Sequence, residues 1–394
     1  MKKEAFSAGL LLIMLQTPTA AVTRSQTRIA VSPRPRRPCP FSLVQPDYCT
    51  MIAREPNRSI RASPRTSSCT SALFMSYMLA GLKKGDEFIV PAQTHVSTVH
   101  AGVALGAKPV FIDSDDKTGN IDLNKIEKSI NVKTKIITLV HYLGKPVDIK
   151  KILYLKKKYK IKIIEDCALS LGANYYGKHV GYYSDYACFS FYPAKHITTG
   201  DGGMIFCKKK SDYKKAKLLR GFGVNKNFFE RKVPGIYDVV NFGLNFRLSD
   251  INSAIGLVQI KRLKNFLELR KKNYSKLYSE LKNINKIKIV ENFTVPNLES
   301  SYYCFSLIIK NSSSKIRNKI LLDLKKKKIG CSVHYPKIVP DFLFYKKKLN
   351  LNKKNFKFAN ILSEYSINLP VGPHLSSKNI EKVIYEFKKI IRKY

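Results

Sequence analysis

The sequence predicts an α/β fold built on a mostly parallel sheet, and three observations carry that prediction. From residue 67 onward, short apolar runs alternate with segments of helical period, as parallel βαβ units require. One such run, 161–164, ends in Glu165-Asp166, which puts a carboxylate at the C-terminal end of a buried strand, where open α/β sheets place ligand-binding groups. Further along, Lys195 stands between an aromatic strand, 188–192, and a Thr/Gly-rich turn, so a second strand delivers an amine into the same crevice.

Taken in order, the chain begins with a stretch unlike the rest. Residues 1–70 hold nine arginines and two lysines, against seven arginines and 53 lysines from 71 on, and prolines cluster at 33–46. Lys2-Lys3, the apolar run 5–15 and Ala20-Ala21 imitate a signal peptide, and the Arg/Ser-rich, acid-poor continuation imitates a transit peptide. Three readings of residues 1–66 stand: a targeting leader, a disordered extension, or an altered reading frame that has replaced the native start. From Ser68 the pattern becomes regular. Ser68-Cys69-Thr70-Ser71 opens an apolar-periodic helix with hydroxyl residues at its N-terminus, and Lys84-Gly85-Asp86 turns the chain into a buried strand over 87–91. Strands follow at 109–113 and 135–141, with a short helix over 122–130 between them and a helix over 148–160 leading to Asp166. After the 188–192 strand come another from 202, a helix near 212–221, and apolar residues at helical spacing from Asp250 to Leu281 that predict one long connecting helix. The remainder predicts a strand over 302–309, the landmarks IGCSVHYP at 329–336 and NLPVGPHL at 368–375, and an amphipathic final helix from 377.

Composition narrows the function classes. The 394 residues suffice for a large core, and the net charge of +43 invites a polyanion reading. The lysine runs near 156–162, 207–217 and 324–328 mostly lie beside Ile and Asn on predicted helix faces and turns and do not alternate regularly with aromatic residues, so they read as solvated surface rather than a nucleic-acid site. Eight cysteines at 39, 49, 69, 167, 188, 207, 304 and 331 show no metal-ligand or paired spacing and read as free thiols of a reducing cytosol. No apolar stretch reaches the length of a membrane span.

A carboxylate and a lysine aimed at one pocket suit a cofactor with a basic ring nitrogen and an aldehyde, which is the demand of pyridoxal phosphate (PLP). The residues around them resemble the DegT/DnrJ/EryC1/StrS family of PLP-dependent sugar aminotransferases. EDCA, GA, SD and FSFYPAKHITTGDGG follow one another between 165 and 203 as in the family pattern, SSCTSALFMSYMLAGLKKGDEFIVP at 67–91 is similar to the family's S-G/C-T-A-A-L helix and G-D-E-V-I-V-P strand, and GLNFRLSDINSAIGLVQIKRL at 243–263 resembles its G-Y-N-Y-R-M block.

The resemblance implies fold type I of the PLP-dependent transferases (aspartate aminotransferase-like): a large, mostly parallel-sheet domain at 67–255 and a smaller C-terminal α+β domain at 256–394. It implies that Asp166 pairs with the pyridinium nitrogen and that Lys195 condenses with the aldehyde. Ser190, Thr70 and Ser71 become phosphate contacts, and His95 stacks on the ring, the alternative being a solvent-facing histidine at a helix start. Asn245, with Arg247 beside it, reaches the cofactor of a partner subunit in a homodimer, the alternative being an Asn that caps the helix beginning near Ser249. His334 and Tyr335 line the sugar pocket. Two departures are visible: Leu169 stands where the family has His or Gln, and Asp201 where it has Glu. Family members carry a helical segment before the point where the match begins, which favours the altered frame for residues 1–66.

The implied activity is amino transfer from an amino acid, L-glutamate foremost, to a nucleotide-linked ketosugar in a cytoplasmic, membrane-free enzyme. Two rivals remain: a PLP sugar dehydratase, which has His at the lysine position, and a catalytically impaired PLP-binding or regulatory protein, kept open by Leu169 and residues 1–66.

Overall fold

The computed structural model describes residues 63–226, 230–292, 296–349 and 353–394. The three readings of the N-terminal stretch concern residues that lie, up to 62, outside the described ones.

In chain order the elements are β1 (Arg65–Thr66), α1 (Cys69–Leu79), β2 (Glu87–Pro91), α2 (Val96–Val103), β3 (Lys108–Ile112), α3 (Leu123–Ile126), β4 (Thr134–Val140), α4 (Ile149–Tyr159), β5 (Lys162–Asp166), β6 (Asn174–Tyr175), β7 (Lys178–His179), β8 (Tyr186–Ser190), β9 (Gly203–Cys207) and α5 (Lys210–Leu219). The long α6 (Asp250–Leu281) follows, then β10 (Ile287–Ile289), β11 (Leu298–Glu299), β12 (Phe305–Ile309), α7 (Ser314–Lys326), α8 (Leu343–Leu349), α9 (Lys357–Tyr365), β13 (Ser366–Leu369) and α10 (Ser377–Ile391). Their starts are written in the sequence as caps: Asp148, Ser249 and Ser313 each accept a backbone N–H of the first turn, and Ser68 and Ser376 form reciprocal capping boxes.

The main sheet runs β1-β9-β8-β5-β4-β2-β3. Strands β3, β2, β4, β5 and β8 are parallel; at one edge β9 pairs antiparallel with β8 and β1 antiparallel with β9. Strand β2 has β3 on one side and β4 on the other, so the strand order reverses there, and the crevice outside the C-terminal strand ends is the expected ligand position.

The central strands are apolar on both faces, and their parity sorts residues into two cores. Phe88, Val90, Ile136, Ile164, Tyr186, Cys188 and Ile205 pack with α1 and α2. Ile89, Ile137, Leu139, Ile163, Ala187, Phe189 and Met204 join a second cluster with α4 and the first part of α6. This alternation decides where the two acids of β5 go. Asp166 shares parity with Ile164 and faces α1 and α2, and Glu165 shares parity with Ile163 and faces the other layer.

A second sheet, β10-β12-β13, is antiparallel and packs with α7, α10 and the last turns of α6 around Phe305, Leu307, Leu324 and Phe387. The expected boundary at 255/256 therefore falls inside α6, a helix that packs with the main sheet through Ile260, Leu263 and Phe266 and with the second sheet through Tyr274, Leu277 and Leu281. The strand expected over 188–192 ends at Ser190, because the chain turns away after it and Lys195 N–H closes the turn on the Tyr192 carbonyl at 2.9 Å.

Candidate active site

A cavity of about 290 Å³ opens at the C-terminal strand ends. Its wall combines Ser68 to Thr70, Thr94, His95, Asp166, Leu169, Ser190, Lys195, Asp201 and Tyr335.

Asp166 is buried and both its oxygens are engaged. Oδ1 accepts the Ala168 N–H at 3.0 Å, and Oδ2 accepts the Thr98 hydroxyl at 2.8 Å. Thr98 is itself fully buried, and its hydroxyl lies 3.0 Å from that of Thr94. Sequence reasoning missed both threonines: Thr98 stands in the first turn of α2 and Thr94 just before its cap, His95.

Glu165 points to the opposite layer into a closed network. It accepts from His141 Nε2 at 2.7 Å, the Tyr175 hydroxyl at 3.1 Å and the Gly181 N–H at 2.8 Å. His141 Nδ1 accepts the Val147 N–H at 3.0 Å, so the ring proton is on Nε2 and is donated to the carboxylate. Burial alone would raise the Glu165 pKa, but the hydrogen bonds it accepts, that from His141 foremost, bring it below the ordinary carboxylate value.

Lys195 Nζ finds no hydrogen-bond or ion-pair acceptor among the described residues and lies 5.6 Å from the ring centre of Tyr303. Burial pulls its pKa below that of a free lysine, while Cys69 and Asp166 oppose the fall. An amine that is accessible to the cavity, unpaired and biased toward neutrality is a poised nucleophile.

The far end of the cavity is the N-terminus of α1. Ser68 caps it, and the N–H groups of Cys69 and Thr70 take no acceptor among the described residues, which makes them donors for an anion. The Ser190 hydroxyl shares this end. Ser71 is one turn position further in: its hydroxyl donates to the Ser68 carbonyl at 2.8 Å and accepts the Ser68 N–H at 3.1 Å, so it shapes the helix start and does not line the cavity. The glycine pair after Asp201 has a steric reason. A Cβ on Gly203 would lie 2.4–2.5 Å from backbone atoms of Ser68 and Cys69, so only glycine lets β9 carry the helix start this close, and Gly202 (φ +155°) adopts a backbone conformation that other residues rarely enter.

His95 caps α2, with Nδ1 accepting the Ser97 N–H at 3.2 Å, and its ring stands 5.6 Å from that of Tyr335 across the cavity. His334 does not line the cavity wall. Its carbonyl accepts from Gln93 at 3.0 Å and from the Tyr142 hydroxyl, and its Nδ1 accepts from the Asn368 amide at 2.9 Å. Burial and the neighbouring Lys195 and His95 push its pKa down to about 4, so the ring is neutral at physiological pH. Asn245 and Arg247 lie away from the cavity on an exposed segment, where the Arg247 guanidinium sits 5.3 Å over the Phe222 ring. Asn245 does not cap α6; Ser249 does.

The residues suit PLP on their own chemistry: a fixed carboxylate for a protonated ring nitrogen, a free amine for an aldehyde, and unpaired helix N–H groups for a phosphate dianion. Together with the reversal of strand order beneath them, they define a PLP-dependent enzyme of the aspartate-aminotransferase-like class. Its family can be stated outright. The model of the DegT/DnrJ/EryC1/StrS aminotransferase family matches residues 62–388, and the chain belongs to that family.

Among its relatives, GDP-perosamine synthase of Escherichia coli O157:H7 is 33% identical over 330 residues, covering 83% of this chain and 84% of its own. The structure of PseC of Helicobacter pylori, an aminotransferase involved in the biosynthesis of pseudoaminic acid, superposes with a TM-score of 0.81 at 26% identity and covers 91% of this chain and 92% of its own. Spr1654 of Streptococcus pneumoniae, described as a sugar aminotransferase, superposes in its PMP form with a TM-score of 0.81 at 27% identity, over 88% of this chain and 90% of its own, and has also been solved with PLP.

Proposed function

We propose that this protein moves an amino group from an amino acid, L-glutamate foremost, to a nucleotide-linked ketosugar that feeds a surface polysaccharide. The observation that carries the reading is Lys195 unpaired at one wall of the cavity and Asp166 fixed at another, with open helix N–H groups at its end. When bound, PLP supplies an electrophilic aldehyde and a ring that accepts the electrons of the breaking bond.

The chain's own residues do the rest. With PLP bound, Lys195 would hold it through Nζ, and Nζ, when free, would be the base that takes a proton from the substrate carbon and gives it back. Asp166 keeps a negative charge against the ring nitrogen, and Thr98 and the Ala168 N–H keep its carboxylate from turning. The N–H groups of Cys69 and Thr70, the Thr70 hydroxyl and Ser190 bind the phosphate, with Ser71 bracing the helix start behind them. His95 covers one face of the ring, and Leu169 packs beside it without donating to it. Tyr335 and the neutral His334 border the sugar.

The active unit is a homodimer. Phe222, Ile236, Tyr237, Val240, Phe242 and Ile251 are between 47% and 77% exposed on the segment that carries Asn245 and Arg247, and large apolar side chains gathered in the open mark an interaction surface. Burying it against a second copy brings Asn245 to the other subunit's phosphate and Arg247 to its sugar. We place the enzyme in the cytoplasm, in keeping with buried free cysteines and with no helix among the described residues long and apolar enough to cross a membrane. The dehydratase reading has no support at position 195, which is lysine rather than histidine.

The test is the visible absorption of the PLP-supplemented protein. The wild type should show a band that bleaches with L-glutamate, and Lys195→Ala should lack it. A band absent from the wild type, or unchanged by the substitution, would overturn the assignment.

A further inference from the structure

We infer that Tyr303 is a positioning residue for Lys195: the face of its ring holds the Lys195 ammonium whenever that amine is free. The inference rests on Lys195 being the reactive amine. Lys195 Nζ has no acceptor among the described residues, and the partner it does have is the Tyr303 ring, 5.6 Å from centre to nitrogen, within the range of a cation–π contact.

The ring is built to stay there. The Tyr303 N–H donates to the Leu143 carbonyl at 3.1 Å, and its own carbonyl accepts Arg270 Nη1 at 2.8 Å. His196 flanks the ring at 5.7 Å and His334 meets it edge-on at 5.5 Å. Both imidazoles are held neutral by burial, so neither carries the charge that the ring face would attract. The Tyr303 hydroxyl has no hydrogen-bond partner among the described residues, which leaves the ring face as the feature that the surroundings fix.

The contact matters because Lys195 must alternate between holding and giving up a proton. Burial drives the amine toward its neutral form, and Cys69 and Asp166 across the cavity oppose that; His95, His196 and His334 also lie near the amine, and burial shifts each of them toward the neutral imidazole. The ring adds attraction for the ammonium without adding a competing acceptor. A carboxylate at the same place would lock the proton on, and an aliphatic side chain would let it go.

The test reads Lys195 in the cofactor-free protein, as the rate of its acetylation by acetic anhydride against pH, followed by peptide mass spectrometry. Tyr303→Phe, which keeps the ring face, should match the wild type. Tyr303→Leu should move the profile to lower pH and acetylate Lys195 about fivefold faster near neutrality, the size of one partly desolvated cation–π contact. Should the leucine variant fail to fold, 3,4,5-trifluorophenylalanine at 303 keeps the shape, drains the ring's negative face and should give the same displacement. Altered access would scale the rate equally at every pH, and that result would overturn the inference. So would an unmoved profile in the leucine and trifluoro variants, or a phenylalanine variant that behaves like leucine. None of these outcomes depends on transamination, so the absorption test above still decides the activity by itself.

Discussion

The buried His141–Glu165 pair offers the most quantitative test of how the sheet presents its acid. In His141→Leu, Glu165 keeps the Tyr175 hydroxyl and the Gly181 N–H but loses a 2.7 Å charge-assisted donor, and the Val147 N–H loses its acceptor. A charge-assisted bond contributes about 1.5–3 kcal/mol and an ordinary one about 1, so the substitution should cost roughly 2.5–4 kcal/mol, because it leaves a buried carboxylate short of one donor. At about 2 °C per kcal/mol for a chain of this size, calorimetry of the cofactor-free protein should show Tm falling by roughly 5–8 °C. The sign with pH follows from the lowered Glu165 pKa. A carboxylate depressed in the folded state adds stability above its unfolded value, about 4.3, and loses it as pH falls through the lower folded one. Without His141, burial dominates and the carboxylate becomes a liability that protonation relieves. The gap between wild type and variant should therefore be full at pH 7 and narrow in acid. Adding Glu165→Gln should recover about half of the loss, because the amide oxygen still accepts from Tyr175 and Gly181 without a charge to strand. A Tm change under about 2 °C, or a gap that does not vary with pH, would refute this account.

Three further outcomes follow from the cavity and its surroundings. Thr98→Val removes one charge-assisted bond from Asp166 and should weaken PLP retention about tenfold in equilibrium dialysis, with Thr98→Ser restoring it. Gly203→Ala should force β9 and the start of α1 apart, lowering cofactor affinity and costing about 1–3 kcal/mol of stability by urea titration; full affinity would mean that the helix start does not hold the phosphate. Ile251→Asp, on a side chain 77% exposed in the single chain, should leave the fold intact but move the sedimentation coefficient to that of a monomer, and an unchanged dimer would remove this face from the interface.

Much of this was legible in advance because it is local. The α6 helix falls on the bounds that its apolar period gives, Asp250–Leu281, and β2 on the 87–91 run, because each buries its apolar residues at the period of its own backbone. Lys195, Asp166, Thr70, Ser190, His95 and Tyr335 meet at one cavity, as strand-end logic and the family motifs together implied. What the motifs could not convey is which residue of a pair faces which layer. Ser71 and Thr70 are adjacent hydroxyls with the same propensity, yet one closes a capping box and the other is left for the cavity, a difference set by 100° of helix rotation.

The neighbours of the reacting groups were hidden for a different reason. Thr98 and Tyr303 reach Asp166 and Lys195 from 68 and 108 positions away, over separations at which local pattern carries no signal. The same limit explains Glu165. Read along the chain, Glu165-Asp166 is one acidic pair at a strand end, but the pleat turns the two carboxylates to opposite layers. One is anchored by His141, Tyr175 and Gly181 and the other opens to the cavity, so the structural acid holds the strand whose next residue presents the functional one. Loss of the His141 anchor should therefore reach Asp166 through the backbone of β5, and the stability deficit of His141→Leu should be accompanied by weaker cofactor retention even though His141 does not line the cavity.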